Sequence, residues 1–300
     1  MKLALGPVPY YWTRATLEAF YDAIADAPVD TVYLGEQVCS RRHEMDLDGW
    51  MRIGDALRAR GKEVVLSTQA LLESEGDLKL LRRIAGNCRF RVEANDMSAV
   101  RLLQGRTGWV AGPHLNVYNP RTLALLAGLG ATRWVAPVEI TQEALRGVQS
   151  ERPPGVETEV FAYGRLPLAF SARCFTARRF NLQKEDCGFR CIEFPDGLDL
   201  RSGEGEPFLV LNGVQTESSR VYWLLHQLPA LADAGVGVLR ISPHASYTVR
   251  AIEVLRACCD GAMDPQAALD EMRPLMPDSP CDGFWHGRPG LELAFMGAAR

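Results

Sequence analysis

The stretch TVYLGEQVCSRRHEMDLDGWMRIGDALRARGKEVVLS, residues 31–67, contains one complete strand–helix–strand unit. Its ends, Thr31–Leu34 and Glu63–Ser67, are short β-branched and apolar runs that predict buried strands. Between them, apolar residues from Trp50 to Leu57 recur at three- and four-residue steps and predict one apolar face of a helix. Two strands joined by a helix normally lie parallel in one sheet, so the stretch predicts an α/β fold.

The same alternation of strands and helices continues along the chain in both directions. The candidate strands are Lys2–Gly6, Thr31–Leu34, Glu63–Ser67, Phe90–Glu93, Trp109–Ala111, Trp134–Pro137, Glu157–Tyr163 and Val236–Ile241. Eight strands separated by helical patterns predict a (β/α)8 TIM-barrel-like fold, in which a parallel sheet closes into a barrel. An open, doubly wound sheet is the alternative, although no glycine-rich dinucleotide or phosphate loop follows the first strand.

Composition limits both the domain organisation and the classes of function. Three hundred residues, 47% of them hydrophobic, are enough for one core, so we predict one barrel-like domain over residues 1–300. The net charge of −4 and the dispersed Lys and Arg residues disfavour a nucleic-acid or membrane-surface partner. Pro7 and Pro9 interrupt the first apolar run, which disfavours a signal peptide, and no transmembrane segment is expected. The expected compartment is the cytoplasm, where the eight cysteines stay reduced.

One segment interrupts the regular alternation. Residues 166–212 contain Cys174, Cys187 and Cys191 in the spacing C-x12-C-x3-C, together with a probable extra strand, Phe208–Leu211. Because this segment follows the seventh strand, we predict an insertion at the C-terminal face of the barrel, where active sites assemble. Three cysteines in a polar loop predict thiolate ligands for an iron–sulfur cluster or for zinc. The alternative is that they are small buried side chains, as free cysteines often are.

A closed site requires a fourth ligand. Cys39 follows the second strand and should lie at the same face of the barrel, so topology favours it. Cys88 precedes the fourth strand and should lie at the opposite end, while Cys258 and Cys259 end a predicted helix, where simple packing explains them. Cys281 remains a candidate for the fourth ligand, because the C-terminal segment that contains it can fold back to the mouth of the barrel. The spacing lacks the paired C-x2-C knuckles of zinc ribbons. This disfavours zinc as the bound metal but does not exclude it.

Several stretches of the sequence resemble the collagenase-like peptidase family. Glu159, Phe161 and Gly164 form E-x-F-x-x-G, and SARC follows at residues 171–174. Nearly the whole chain is similar to a cluster-binding member of that family, through GPVPYYW at 6–12, YLGEQVCSRR at 33–42, LSTQAL at 66–71, YGRLPLAFSARCFTAR at 163–178 and LNGVQT at 211–216. Many members of the broader family carry a cysteine soon after the signature glycine, where this chain has LP at 166–167, so one ligand must come from elsewhere.

The resemblance implies a ligand set and a role. It places the four ligands of a 4Fe-4S cluster at Cys39, Cys174, Cys187 and Cys191. It implies an iron–sulfur subunit of an oxygen-independent hydroxylase, which forms a heterodimer with a UbiU-like homologous subunit. The substrate would be the aromatic ring of a prenylated ubiquinone precursor, with a lipid-binding accessory protein as a further partner. Four thiolate ligands leave no open position on the iron, which favours electron transfer over direct activation of the substrate.

Other polar residues at the predicted strand ends are candidates for catalysis or substrate contact. His114 in GPHLN is either a proton donor or a hydrogen-bonded strand-end histidine. Arg173 either tunes the cluster or is a solvated loop arginine, and Glu36 pairs with Arg173, with a cation of the partner, or in a simple salt bridge. The same mouth of the barrel should also contain Asn116, Glu139, Tyr163, Arg240 and Ser242.

Three other classes of function remain open at this point. A cluster-stabilised scaffold for the partner would need the same cysteines without any catalytic role. A peptidase would need an activated nucleophile or an open metal site, and the sequence contains no H-E-x-x-H, G-x-S-x-G or D-T-G motif. A barrel enzyme stapled by zinc would be colourless, whereas an iron–sulfur protein would be brown.

Overall fold

A computed structural model describes residues 1–294, in which eight parallel strands close into a barrel. The strands are β1 (Lys2–Leu5), β2 (Thr31–Leu34), β3 (Glu63–Ser67), β4 (Arg91–Ala94), β5 (Trp109–Ala111), β6 (Ala131–Val135), β7 (Glu157–Phe170), β8 (Leu198–Arg201), β9 (Pro207–Asn212), β10 (Gln215–Trp223), β11 (Val238–Ile241) and β12 (Pro280–Cys281). Strands β1 to β7 pair in sequence order, and β11 pairs in parallel with both β1 and β7. The predicted TIM-barrel-like fold is therefore confirmed; the last six residues of the predicted domain, 295–300, lie outside the described part.

Helices connect the strands around the outside of the barrel. They are α1 (Arg14–Asp26), α2 (Leu47–Ala59), α3 (Glu75–Ala85), α4 (Met97–Leu103), α5 (Pro120–Gly128), α6 (Gln142–Ser150), α7 (Phe175–Arg179), α8 (Leu228–Asp233), α9 (Thr248–Cys259) and α10 (Pro265–Met272). Side-chain caps set their starts, as where Asn119 accepts a hydrogen bond from the Thr122 amide and Pro120 opens α5. Among residues 1–294, no helix is both long and apolar enough to cross a bilayer.

The barrel carries an antiparallel extension on its seventh strand. Strand β7 is 14 residues long and pairs beyond the barrel with β10, which pairs with β9, which in turn pairs with β8. The predicted extra strand Phe208–Leu211 lies within β9. The segment between β7 and β8 contacts the loop after β1, because the Trp12 indole donates to the Pro195 carbonyl at 2.6 Å. The extension therefore lies at the C-terminal mouth of the barrel.

A buried charged network occupies the inside of the barrel. Arg240 on β11 donates to Glu159 on β7 at 2.5 Å and to Glu93 on β4 at 2.7 Å. The Tyr33 hydroxyl donates to Glu159 at 2.6 Å, and the Arg240 guanidinium lies over the Tyr33 ring, 4.0 Å from its centroid. Both carboxylates have 0% exposed side chains. Charges this deeply buried are tolerated only because they are paired and hydrogen-bonded. Glu159 of the signature therefore has a structural role in the barrel.

The glycine of the signature marks a close approach between β7 and the loop after β11. Gly164 has a φ of +124°, and a Cβ placed there would lie 2.5 Å from the Ser242 Cβ. We expect Gly164→Ala to lower the free energy of unfolding by about 1–3 kcal/mol, because the backbone is strained and the neighbouring backbone must move. Gly147→Ala is the matched control, since Gly147 is inside α6 with nothing near its added Cβ. That control should stabilise by about 0.5–1 kcal/mol. Equal urea-unfolding curves for Gly164→Ala and Gly147→Ala would contradict the close approach at Gly164.

Candidate functional site

The four predicted cluster ligands lie in a loop of the barrel and in the segment at its mouth. Cys39 follows β2, and Cys174 is the N-cap of α7. Cys187 directly follows a 3-10 turn, Lys184–Asp186, and Cys191 lies inside the next 3-10 turn. All four are half-buried free thiols. Each of them therefore has part of its surface exposed to solvent and the rest covered by protein.

Hydrogen bonds hold these segments beside one another. Arg41, from the loop after β2, donates to the carbonyl of Glu185 at 2.6 Å. Lys184 donates to the carbonyl of Ala172 at 3.1 Å. The first bond ties the Cys39 loop to the turn before Cys187, and the second ties that turn to the residues before α7. The loop after β2 thus meets the segment between β7 and β8, which contains the other three cysteines.

Arg42 is the buried cation among the four thiols, with 1% of its side chain exposed. Its guanidinium acts electrostatically on both Cys191 and Cys39. Burial raises the pKa of the Cys39 thiol to about 11 and also raises the pKa of Cys191, whereas Arg42 lowers both. Cys174 and Cys187 act electrostatically on Cys191 as well. Cys191 therefore lies within electrostatic reach of Cys174 and Cys187, and Arg42 lies within reach of both Cys191 and Cys39.

The donor set fits an iron–sulfur cluster. In the described part of the chain, no three His, Cys, Asp or Glu side chains are arranged to hold a metal ion. The thiolates of a 4Fe-4S cluster each bind a different iron atom, so they surround a wider group than one ion. A cluster held by four thiolates is anionic, and Arg42 supplies a buried positive charge beside it. Ligation by these thiols stays a prediction.

The other four cysteines have ordinary positions in the fold. Cys88 is exposed before β4, and Cys258 and Cys259 end α9. Cys281 in β12, which the sequence left open as a ligand, is 0% exposed and packs in the hydrophobic core. Burial raises the pKa of Cys281 to about 12, so it is an unreactive core thiol.

A chain of buried hydrogen bonds runs from the thiols to the mouth of the barrel. Arg42 donates to Asn212 Oδ1 at 2.6 Å and to the Pro9 carbonyl at 2.6 Å. Asn212 in turn donates to Gln215 Oε1 at 2.9 Å. Pro9 and Gln215 line a cavity in the barrel mouth. One layer of side chains, Arg42 with Asn212 and Gln215, thus connects the cysteines with this cavity.

The mouth cavity contains polar groups without protein partners. It is lined by Gln37, His114, Arg165 and Glu217 among others, and its apolar walls include Phe161. Within residues 1–294, Gln37 Nε2, Arg165 Nε and Glu217 Oε2 are buried with no hydrogen-bond partner. Burial lowers the pKa of His114 to about 4, so this ring is neutral at physiological pH. The sequence offered no signal for Gln37, Arg165 or Glu217, because none of them belongs to a recognised catalytic motif.

Glu217 gives the free energy of unfolding a pH dependence that can be measured. Burial raises its pKa from an ordinary value of 4.5 to about 7, although Arg165 opposes the shift. The unfolded chain therefore releases this proton near pH 4.5, while the folded chain holds it until pH 7. As the pH rises from about 4.5 to 7, this group should lower the free energy of unfolding by about 3 kcal/mol. Above pH 7 its contribution should stay constant. Glu217→Gln should remove this part of the slope in urea unfolding at pH 5, 6, 7 and 8; an unchanged slope would contradict the shift.

Glu36 and Arg173, two candidates from the sequence, do not meet. Glu36 accepts hydrogen bonds from the amides of Val38 and Cys39 at 2.9 and 3.0 Å, and Arg42 is its salt-bridge partner at 3.6 Å. Of the three alternatives for Glu36, the structure shows the simple salt bridge: Arg42 from the same loop supplies the cation, and Arg173 is exposed. Glu36 thus orients the Cys39 loop.

The remaining candidates at strand ends separate into three groups, and only the first of them lies at the mouth cavity as predicted. His114, Arg240 and Ser242 line the mouth cavity. Asn116 and Glu139 are exposed away from it, and Tyr118 donates to Glu139 at 2.6 Å. Tyr163 is buried and packs edge-on against the rings of Trp223 and Tyr247.

Comparison with known proteins gives one family model and several solved structures that match most of the chain. A family model described as peptidase family U32 matches residues 12–294. A solved U32 peptidase has a TM-score of 0.45 and 14% identity, covering 81% of this chain and 93% of that one. The spore cortex-lytic enzyme SleL from Bacillus megaterium has a TM-score of 0.41 and 10% identity, covering 85% and 74%. The spore coat polysaccharide biosynthesis protein spsE from Bacillus subtilis has a TM-score of 0.38 and 11% identity, covering 99% and 75%. Structural similarities this low carry no argument about activity.

Proposed function

The chain belongs to peptidase family U32, and from this premise we propose that it is the iron–sulfur subunit of an oxygen-independent hydroxylase. Its substrate would be the aromatic ring of a ubiquinone precursor. The motifs quoted from the sequence resemble UbiV, which works as a heterodimer with UbiU. A prenylated substrate would require a lipid-binding accessory protein for delivery, and thiolate ligands suit the reducing cytoplasm.

One observation carries the proposal: the loop of Cys39 and the segment of the other three half-buried thiols meet at the buried Arg42, which acts electrostatically on Cys39 and Cys191. Cys39, Cys174, Cys187 and Cys191 would hold a 4Fe-4S cluster. Such a cluster supplies single-electron transfer when it is bound. Arg42 stabilises the negative charge of the thiolate-bound group.

The protein's other residues position the ligands. Glu36 fixes the amides of the Cys39 loop, and Arg41 holds the turn before Cys187 against that loop. The Phe189 ring, between two ligands in sequence, packs against the Tyr11 ring with centroids 5.9 Å apart. Arg42 lies over the same Tyr11 ring, 5.6 Å from its centroid. These contacts hold the turn between Cys187 and Cys191 and the Arg42 side chain against the same tyrosine.

Peptidase activity through a cysteine nucleophile is the weaker alternative. A nucleophilic cysteine needs a lowered pKa, because the thiolate is the reactive form. Burial instead raises the pKa of Cys39 and Cys191, and the buried Cys281 is shielded in the core. Cleavage of a peptide library by the anaerobically purified heterodimer would favour the peptidase over the hydroxylase.

The deciding experiment is an anaerobic hydroxylation assay with the heterodimer. Cys187→Ala should abolish the hydroxylated product, while size-exclusion chromatography still shows the complex with the partner. Cys88→Ala, at an exposed position before β4, is the matched control and should retain activity. Full product from a Cys187→Ala complex without iron would instead make the chain a scaffold for its partner.

A further inference from the structure

The mouth cavity is distinct from the cysteine site and contains an unsatisfied set of hydrogen-bonding groups. Gln37 Nε2 and Arg165 Nε are donors, and Glu217 Oε2 is an acceptor whenever the carboxyl is ionised. Glu217 is 1% exposed and Gln37 is 6% exposed. A buried polar atom without a partner costs about 1–3 kcal/mol, so three of them around one cavity indicate a ligand that satisfies them.

The three groups together match a hydroxyl group. A hydroxyl oxygen accepts hydrogen bonds from donors such as Gln37 and Arg165, and its proton is donated to a carboxylate such as Glu217. A carboxylate ligand would face Glu217 as a second negative charge, and an ether would leave Glu217 without a donor. With Glu217 ionised, the set therefore distinguishes a hydroxyl from these two groups, whereas the protonated carboxyl can donate to either of them.

The walls of the cavity match an aromatic ring. Pro7, Pro113, Pro167 and Phe161 supply rigid, flat apolar surface around the polar groups. His114 adds a neutral ring, whose edge contact to Phe170 has a centroid distance of 4.7 Å. Apolar walls with a few convergent polar groups are typical of sites for small organic ligands.

We propose that this cavity binds a phenolic ring, with its hydroxyl held by Gln37, Arg165 and Glu217. The inference rests on the proposed function and places the ring-binding site in this chain. Gln215 lines the cavity and is joined through Asn212 to Arg42, which contacts the cysteines. The ring would therefore be linked to the cysteine site through three side chains, Gln215, Asn212 and Arg42.

Binding should depend on the charge of Glu217. The charged and titratable groups that act on it are Tyr10 and Arg42 from the loops after β1 and β2, Arg165 from β7, and Asp196 from the segment before β8. Its pKa of about 7, raised by burial, makes the carboxylate form increase between pH 6 and 8. Phenol binding should strengthen over that range, because the ionised carboxylate is the better acceptor.

The test is ligand-observed fluorine NMR on the anaerobically purified heterodimer, with 4-fluorophenol, 4-fluoroanisole and 4-fluorobenzoate as probes. We expect 4-fluorophenol to bind about 10-fold more tightly than 4-fluoroanisole, and to bind more tightly at pH 8 than at pH 6. Glu217→Gln should weaken 4-fluorophenol about 10-fold and remove the pH dependence, and Gln37→Met should weaken it about 5-fold. Glu143→Gln, on the exposed side of α6, is the matched control and should change nothing.

Three results would overturn the proposal. They are equal affinity for phenol and anisole, tighter binding of 4-fluorobenzoate, and phenol binding that Glu217→Gln and Gln37→Met leave unchanged. Iron and sulfide are measured on the same sample, so the two proposals fail separately. A sample with its cluster but without selective phenol binding refutes the ring site alone, whereas a sample without iron refutes the cluster.

Discussion

Replacing Cys191 by alanine is expected to yield a protein that contains almost no iron or sulfide after anaerobic purification. Cys191 lies within electrostatic reach of Arg42, Cys174 and Cys187, so it is central to the group. Three thiolates leave one iron of the cluster exposed to solvent and exchange, which makes the whole cluster labile. Cys174→Ala should have the same effect. Iron and sulfide analysis with a visible absorption spectrum measures both variants.

Cys88→Ala is the control for this loss. Cys88 is an exposed thiol before β4, at the end of the barrel away from the other four. The control should keep the iron, the sulfide and the absorption of the wild type. The ligand assignment would be contradicted if Cys191→Ala kept full iron and sulfide, or if Cys88→Ala lost them.

Replacing Arg240 by methionine should lower the free energy of unfolding by about 3–5 kcal/mol at pH 7, because it leaves Glu93 buried without its cation and Glu159 with only Arg133, at 3.8 Å. Methionine retains much of the volume of arginine, so the change tests charge more than packing. Burial raises the pKa of Glu93, and Arg240 with its hydrogen bonds lowers it below the usual range. Without Arg240 that pKa should rise. The deficit should therefore shrink as the pH falls and Glu93 takes up a proton.

Arg250→Met is the matched control, measured by urea unfolding under the same conditions. Arg250 pairs with Glu253 and Glu271, but its side chain is 47% exposed. Exposed ion pairs contribute about 0–1 kcal/mol, so the control should be nearly neutral. A similar small loss for Arg240→Met would show that the barrel network is not needed for stability.

All eight barrel strands were predicted from short apolar or β-branched runs, although some of their bounds were not. Thr31–Leu34 and Glu63–Ser67 appear as β2 and β3 with the predicted bounds. The sixth strand was predicted at Trp134–Pro137 but begins at Ala131, because the buried Arg133 pairs with glutamates and interrupts the apolar pattern.

The antiparallel extension was only partly visible in the sequence. Strand β9 was predicted from its apolar residues, whereas β10 was missed because it buries polar residues such as Glu217 and Ser218. Strand β8 has mostly exposed residues, so its sequence shows no alternation of apolar and polar residues from which a strand could be predicted. Inward polar residues in β10 form part of the cavity, so the misses coincide with the candidate binding site.

Most of the site could be located from the sequence, but its connections could not. Topology placed Cys39 at the same end of the barrel as the inserted segment, and the structure brings that loop against the segment through Arg41. Arg42 and Asn212 hydrogen-bond across 170 residues of sequence, and neither position has a local pattern that reveals the contact. Side-chain hydrogen bonds over such separations depend on the closed barrel and become visible only in three dimensions.

The most direct measurement for the central claim is iron, sulfide and zinc analysis of the wild-type protein, purified anaerobically from cells that assemble iron–sulfur clusters. We expect a brown protein with about four iron and four sulfide per chain and negligible zinc. A colourless protein with one zinc per chain would leave a cysteine site but contradict electron transfer. A protein with neither iron nor zinc would contradict the metal site itself.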